Sequence, residues 1–77
     1  MSDSSSPNFN VQASMTDNLS ALSGKTVSVH LASGTSLSGI VGNVGDHHLH
    51  LKELVGKEFY DALVCVKQIE AIEVRAN

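Results

Sequence analysis

The chain has 77 residues, a single cysteine and a formal net charge of −3 with neutral histidines. This length allows one domain at most, and one cysteine excludes an intrachain disulfide that would stabilise so small a core. The five Lys and Arg residues are spread singly along the chain, which excludes the basic stripe of a typical nucleic-acid-binding protein. Oligomerisation is then the remaining common way to stabilise the domain.

The first 13 residues are rich in Ser and Asn, contain the only proline and show no hydrophobic period. They predict a flexible tail, and the alternative is an arm that becomes ordered on binding through Phe9 and Val11. The start is unlike a signal peptide, and no segment approaches the roughly 18 apolar residues that span a membrane. We therefore expect a cytoplasmic protein without a membrane partner.

A short helix is predicted over about residues 15–23, at the start of a domain that covers residues 14–77. Apolar residues recur at the spacing of one helix face: Met15, Leu19 and Leu22. Ser14 or Thr16 would cap the start of this helix, and Gly24 stands where a left-handed C-cap belongs. Because so short a helix is unstable alone, it must pack its apolar side on the rest of the domain.

From Lys25 onward, alternating apolar residues separated by turn residues predict five antiparallel strands. They are expected at about residues 25–32, 35–44, 47–54, 59–66 and 69–75. Gly34 lies in the first turn, and the glycines of the second strand predict a sharp bend. Lys67-Gln68 leaves room for about one turn of 3₁₀ helix before the fifth strand. The predicted fold class is mainly β, a small, strongly bent, five-stranded barrel of the SH3 type capped by a short N-terminal helix.

The fourth predicted strand contains an apolar run without proline or charge, residues 62–66. Exposed on a sheet edge, such a run is an aggregation hazard unless it is paired. Pairing between subunits through the fourth and fifth strands would cover both edges and give a homo-oligomeric ring. Phe59 and Tyr60 should point to opposite faces, so we expect one ring in the core and the other in the subunit interface.

Residues 27–41, with Gly34 and Gly39 set among alternating hydrophobic residues, resemble the first motif of the Sm and Sm-like (LSm) family, which includes the bacterial RNA chaperone Hfq. Residues 46–51 are similar to the end of that motif, and residues 64–69 occupy the place of the second. The resemblance implies an Sm-fold barrel that forms a ring. It also implies binding of single-stranded RNA, often uridine-rich, near the pore, in an RNA chaperone or another role in RNA metabolism.

The same resemblance implies four RNA-contacting residues: Asp46, His48, His50 and Lys67. His48 takes the place of the residue that stacks on a base, and His50 that of the Asn that reads the base edge. Asp46 would orient the contacting residue. Lys67 lies two positions from Cys65-Val66, which replaces the family's Arg-Gly pair.

Two other functions are compatible with these residues. Tyr60-Asp61 stands where Hfq has a uridine-gripping Lys-His pair, and together with the acidic charge it favours a structural or protein-interaction ring without RNA recognition. His48 and His50 share one strand face, which would suit a small ligand- or metal-binding barrel, or simply a solvated polar surface. Cys65 is interpreted as a small packed hydrophobe, and neither a catalytic set nor a cofactor is predicted, so we do not expect an enzyme. The loop histidines would raise polyanion affinity below roughly pH 6–7.

Overall fold

A computed structural model of the protein describes residues 9–57 and 59–75. The elements follow in chain order: α1 (Met15–Ser20), β1 (Thr26–Leu31), β2 (Ser36–Val44), β3 (His48–Lys52), β4 (Ala62–Cys65) and β5 (Ile69–Val74). One turn of 3₁₀ helix, Val66–Gln68, joins the last two strands, as the sequence predicts. The fold is the mainly β arrangement with a short N-terminal helix that was expected.

All five strands form one antiparallel sheet in the order β4-β3-β2-β1-β5. The two edge strands, β4 and β5, are consecutive in the chain and separated by a single 3₁₀ turn. The sheet therefore bends strongly, because a link of only three residues joins its two edge strands. Within residues 9–57 and 59–75, each edge strand pairs with one neighbour only, so each keeps one row of backbone groups without a strand partner.

The bend of the sheet depends on a close approach between β2 and β3. A Cβ atom on Gly39 would lie 2.7 Å from the carbonyl oxygen of Lys52, closer than real Cβ atoms come to backbone. At Gly42 a Cβ would lie 3.0 Å from the carbonyl oxygen of His50, and the β2–β3 register shifts around this position. The glycines that the sequence associates with a bend thus also make room for the neighbouring backbone.

Helix α1 packs its apolar side against the sheet. Ser14 is its N-cap, because the Ser14 Oγ accepts the backbone N–H of Asp17 at 3.0 Å. This resolves the choice of cap, since Thr16 lies inside the first turn. Gly24 has a φ of +83°, in the left-handed region expected after the helix. The buried core consists of Leu19, Leu22, Val27, Val29, Val41, Leu49, Leu51, Leu54, Val64, Val66 and Ile69.

None of the helices in the described part of the chain has the length and apolar character needed to cross a membrane.

The start of β4 differs from the prediction. The strand begins at Ala62 and not near residue 59, because Phe59 takes a φ of +69° and the N–H of Tyr60 donates to the carbonyl of Lys57 at 3.1 Å, forming a turn. The side chains of Phe59 and Tyr60 are 98% and 63% exposed. The expectation that one of these rings fills the core was therefore wrong.

The segment before α1 contacts the helix. The backbone N–H of Asn10 donates to Oδ1 of Asn18, and Nδ2 of Asn18 donates to the carbonyl of Asn10, both at 2.9 Å. The flexible tail and the domain boundary at residue 14 stay predictions. The rest of the predicted tail, residues 1–8, lies outside the described residues.

Candidate functional site

The β2–β3 loop and the link between β4 and β5 lie side by side at one end of the sheet. His48 lies directly opposite Cys65 in the β3–β4 pairing. The backbone N–H of Val66 donates to the carbonyl of His47, and that of Gly45 to the carbonyl of His48, both at 2.9 Å. The Val66 hydrogen bond thus joins the two loops, and the Gly45 hydrogen bond closes the β2–β3 loop on itself.

A cleft opens between these two loops and the first residues of α1, and we call it the loop cleft. Its lining residues are Ser14, Met15, Thr16, Asp46, His47, His48, Cys65, Val66 and Lys67. Three of the four predicted site residues, Asp46, His48 and Lys67, are in this set, and all three are exposed. The Asp46 carboxylate and the Lys67 ammonium carry opposite charges, so these two residues give the loop cleft no net charge.

The fourth predicted residue, His50, is not part of the loop cleft lining. It leaves the same face of β3 as His48, but its Nε2 lies 2.9 Å from Oδ2 of Asp61. The other oxygen of Asp61, Oδ1, accepts the backbone N–H of Glu53 at 3.0 Å. The Glu53 hydrogen bond first, and the His50 hydrogen bond second, lower the pKa of Asp61 below its ordinary value. His50 therefore fastens the end of the β3–β4 loop at Asp61, and Asp61 in turn joins that end to the loop's beginning at Glu53.

A second polar cluster was not predicted from the sequence. His30 on β1 bridges two strands, with Nδ1 at 2.9 Å from Oγ of Ser36 and Nε2 at 3.0 Å from Oε1 of Glu73. His30 and Glu73 are separated by 43 residues, so no local spacing signals the contact. Because the Ser36 and Glu73 side chains are exposed, this line of hydrogen bonds braces the edge strand β5 at the surface.

Cys65 does not pack as a small hydrophobe, which corrects the sequence interpretation. Val64 takes the core side of β4, and the alternation of the strand turns the Cys65 thiol to the exposed face. In the part of the chain that the structure describes, no group of three or more His, Cys, Asp or Glu side chains is arranged to hold a metal ion.

Among solved structures, a crystal structure of a novel Sm-like archaeal protein from Pyrobaculum aerophilum is similar to this chain, with a TM-score of 0.66 and 22% sequence identity. The match covers 79% of this chain and 51% of the archaeal chain, so this chain spans about half the length of that protein. Neither a protein-family model nor a curated protein matches the sequence. The likeness concerns the fold, and the helix-capped, five-stranded antiparallel sheet is an Sm-like fold.

Proposed function

We propose that this Sm-like domain assembles into a homo-oligomeric ring and binds single-stranded RNA at the loop cleft. The observation that carries the proposal is the joint lining of that cleft by Asp46, His48 and Lys67, which come from two separate loops. An exposed imidazole can stack on a base, an ammonium can neutralise a phosphate, and a carboxylate can orient either group. These are the elementary contacts that single-stranded RNA requires.

Repetition around a ring would make such a modest site effective. One base stacked on an aromatic ring contributes about 1–3 kcal/mol, and each further subunit adds its contact at a high effective concentration. A chain with a net charge of −3 has no basic stripe that could bind RNA by charge alone. Affinity would therefore depend on several copies of His48 and Lys67 facing one strand of RNA.

The subunit contact that we propose joins β4 of one copy to β5 of the next, because these are the two edges of the sheet. In an antiparallel pair, directly opposite residues point to the same face. We propose the register that sets the interior residues Ala62 and Val64 of β4 opposite Val74 and Ile72, the interior residues of β5.

This register also brings unlike charges together, since it sets Asp61 of the partner subunit opposite Arg75. On the outer face, the same register sets Cys65 of the partner subunit opposite Ala71. Both of these positions are exposed in the single subunit.

The register can be tested with the native cysteine. Opposite residues have Cα atoms about 4.5–5.5 Å apart, which lies within the range of disulfides. Mild oxidation of Ala71→Cys should therefore give a ladder of disulfide-linked oligomers through the native Cys65. Ser33→Cys, in the exposed β1–β2 turn, is the matched control and should give no ladder. A product that runs only as a monomer for Ala71→Cys contradicts this subunit contact.

RNA binding is tested by fluorescence anisotropy with labelled oligouridine and oligoadenine at low salt. Loss of one stacked base per site predicts that His48→Ala weakens binding by about 5- to 150-fold, whereas His48→Phe keeps a ring and most of the affinity. Lys67→Ala should weaken binding and reduce its salt dependence, because it removes a phosphate contact. Lys57→Ala, a lysine of the β3–β4 loop, is the control.

No binding at tens of micromolar by an assembled ring would contradict the RNA proposal. That result would favour the second candidate, a structural or protein-interaction ring of Sm-like fold. The observation that favours this candidate is the engagement of His50 by Asp61, which withdraws one of the four expected contacts from the cleft.

A further inference from the structure

Phe9 is an apolar side chain held in place beside an unpaired strand edge. Its side chain is 44% exposed. It lines two grooves that share Ile72 of β5: one continues along β5 to Val74 and Arg75, and the other runs toward α1. The paired hydrogen bonds between Asn10 and Asn18 fix the backbone next to it. An ordered but half-exposed phenyl ring at such an edge is typical of a surface that another chain covers.

We propose that Phe9 is a subunit-interface residue that packs against Tyr60 of the partner subunit. The proposal rests on the ring contact between β4 and β5 described above. In that register, Ala62 of the partner subunit lies opposite Val74, on the side of the sheet that faces the core. Tyr60 of the partner subunit precedes it by two residues and leaves the turn there, because its carbonyl accepts the backbone N–H of Leu54 at 2.9 Å beside the end of β3. Side chains two residues apart on such a paired segment share a side, so we place the phenol ring toward the groove that Phe9 lines.

The groove along β5 has the composition that an aromatic ring with a polar tip requires. Its lining combines the apolar side chains of Val27, Ile72 and Val74 with the charged side chains of Glu73 and Arg75. Tyr60 is 63% exposed in the single subunit, so its ring is available for burial. An aromatic pair contributes beyond the area that it buries, and a tyrosine hydroxyl usually finds a hydrogen-bond partner when its ring is buried.

A second copy of the chain is the partner that best fits the groove along β5. Residues 62–66 on the β4 edge of that copy are apolar and carry no charge, so they can pack against the β5 edge without burying a charge of their own. A contact between unlike edges is head-to-tail, so it repeats around a closed ring and uses every Phe9 once.

The test is a dilution series of the full chain followed by mass photometry, which gives the concentration at which half of the assembly dissociates. Phe9→Ala and Tyr60→Ala should each raise that concentration by at least about fivefold, since each removes one member of the aromatic pair. The variant with both substitutions should dissociate at about the same concentration as the single variant that dissociates more readily, because either substitution alone already removes the aromatic pair. Val11→Ala is the matched control, because Val11 is on the same arm and 93% exposed, and it should leave the midpoint unchanged.

The outcomes separate this inference from the proposed function. A wild-type chain that is monomeric at every concentration overturns the ring itself. A wild-type ring whose midpoint is unchanged by Phe9→Ala overturns the role of Phe9 and leaves the ring intact. Additive effects of Phe9→Ala and Tyr60→Ala overturn the pairing of these two residues. Tyr60→Ala lies in an exposed loop and gives an independent measurement if Phe9→Ala fails to fold.

Discussion

The two ends of β3 carry similar residues in different surroundings. At the start of the strand, His48 is exposed in the loop cleft near Lys67. Two residues later, His50 is hydrogen-bonded to Asp61, and the strand ends in tight contact with Gly39. Both imidazoles leave the same face of β3, so their spacing does not reveal this difference. One end of the strand borders an open cleft, whereas the other is fixed by contacts within the chain.

The largest expected effect is a loss of folding stability when the fixed end of β3 is disturbed. Gly39→Ala would place a Cβ 2.7 Å from the carbonyl oxygen of Lys52, and a backbone atom cannot move aside as a flexible side chain can. Overpacking of this kind costs about 1–3 kcal/mol or more, which lowers the Tm of a domain of this size by about 4–8 °C per kcal/mol. Thermal melting followed by circular dichroism measures the loss.

Gly45→Ala is the control at the open end of the same strand. A Cβ there would lie 3.7 Å from the carbonyl oxygen of His48, an ordinary van der Waals distance. We expect its Tm to stay close to that of the wild type. Equal losses for the two variants would mean that the close approach at Gly39 is not what distinguishes the two ends.

The second effect is on RNA affinity and compares the two histidines directly. His48→Ala should lose the stacking contact, whereas His50→Ala should change affinity by less than about twofold, as expected for a surface substitution away from the site. Anisotropy titrations of both variants with the same labelled oligouridine measure the difference. A loss for His50→Ala as large as that for His48→Ala would mean that RNA displaces Asp61 from His50.

Much of the fold could be predicted because its signals are local. Alternating hydrophobic residues mark the strands, and the left-handed turn at Gly34, with a φ of +93°, follows from its residue type. The exposure of the rings at residues 59 and 60 could not be predicted, because Phe59 adopts a backbone conformation that is rare for its residue type.

The RNA-contacting roles of the candidate residues stay a prediction, and their placement followed from the sequence only where the signals were local. Asp46 and His48 belong to one loop, and Lys67 follows from the place of the second motif. The surroundings of His50 depend on a carboxylate 11 residues away, and those of His30 on one 43 residues away. Such pairs depend on strand register and on the path of a loop, which no local pattern specifies.

The smallest effect is on the stability of the fixed end and concerns Asp61. Because the pKa of Asp61 is lowered in the folded protein, its carboxylate stabilises the fold at a pH above its ordinary value of 3.8, and this contribution is lost as the pH falls through the lower folded pKa. Asp61→Asn should therefore be less stable than the wild type at pH 7, and the difference should shrink toward pH 3. Urea unfolding at pH 7, 5 and 3 measures it.

The two contacts of Asp61 can be separated in the same experiment. The hydrogen bond from the Glu53 backbone lowers the pKa of Asp61 more than the hydrogen bond with His50 does. In a His50→Ala background, Asp61→Asn should therefore still lose stability at pH 7, by a smaller amount than in the wild type. If the loss disappears in that background, His50 is the main partner of the carboxylate. If the stability lost through Asp61→Asn is equal at pH 3 and pH 7, the charge of Asp61 does not fix this end of β3. The contrast with the open end then depends on Gly39 alone.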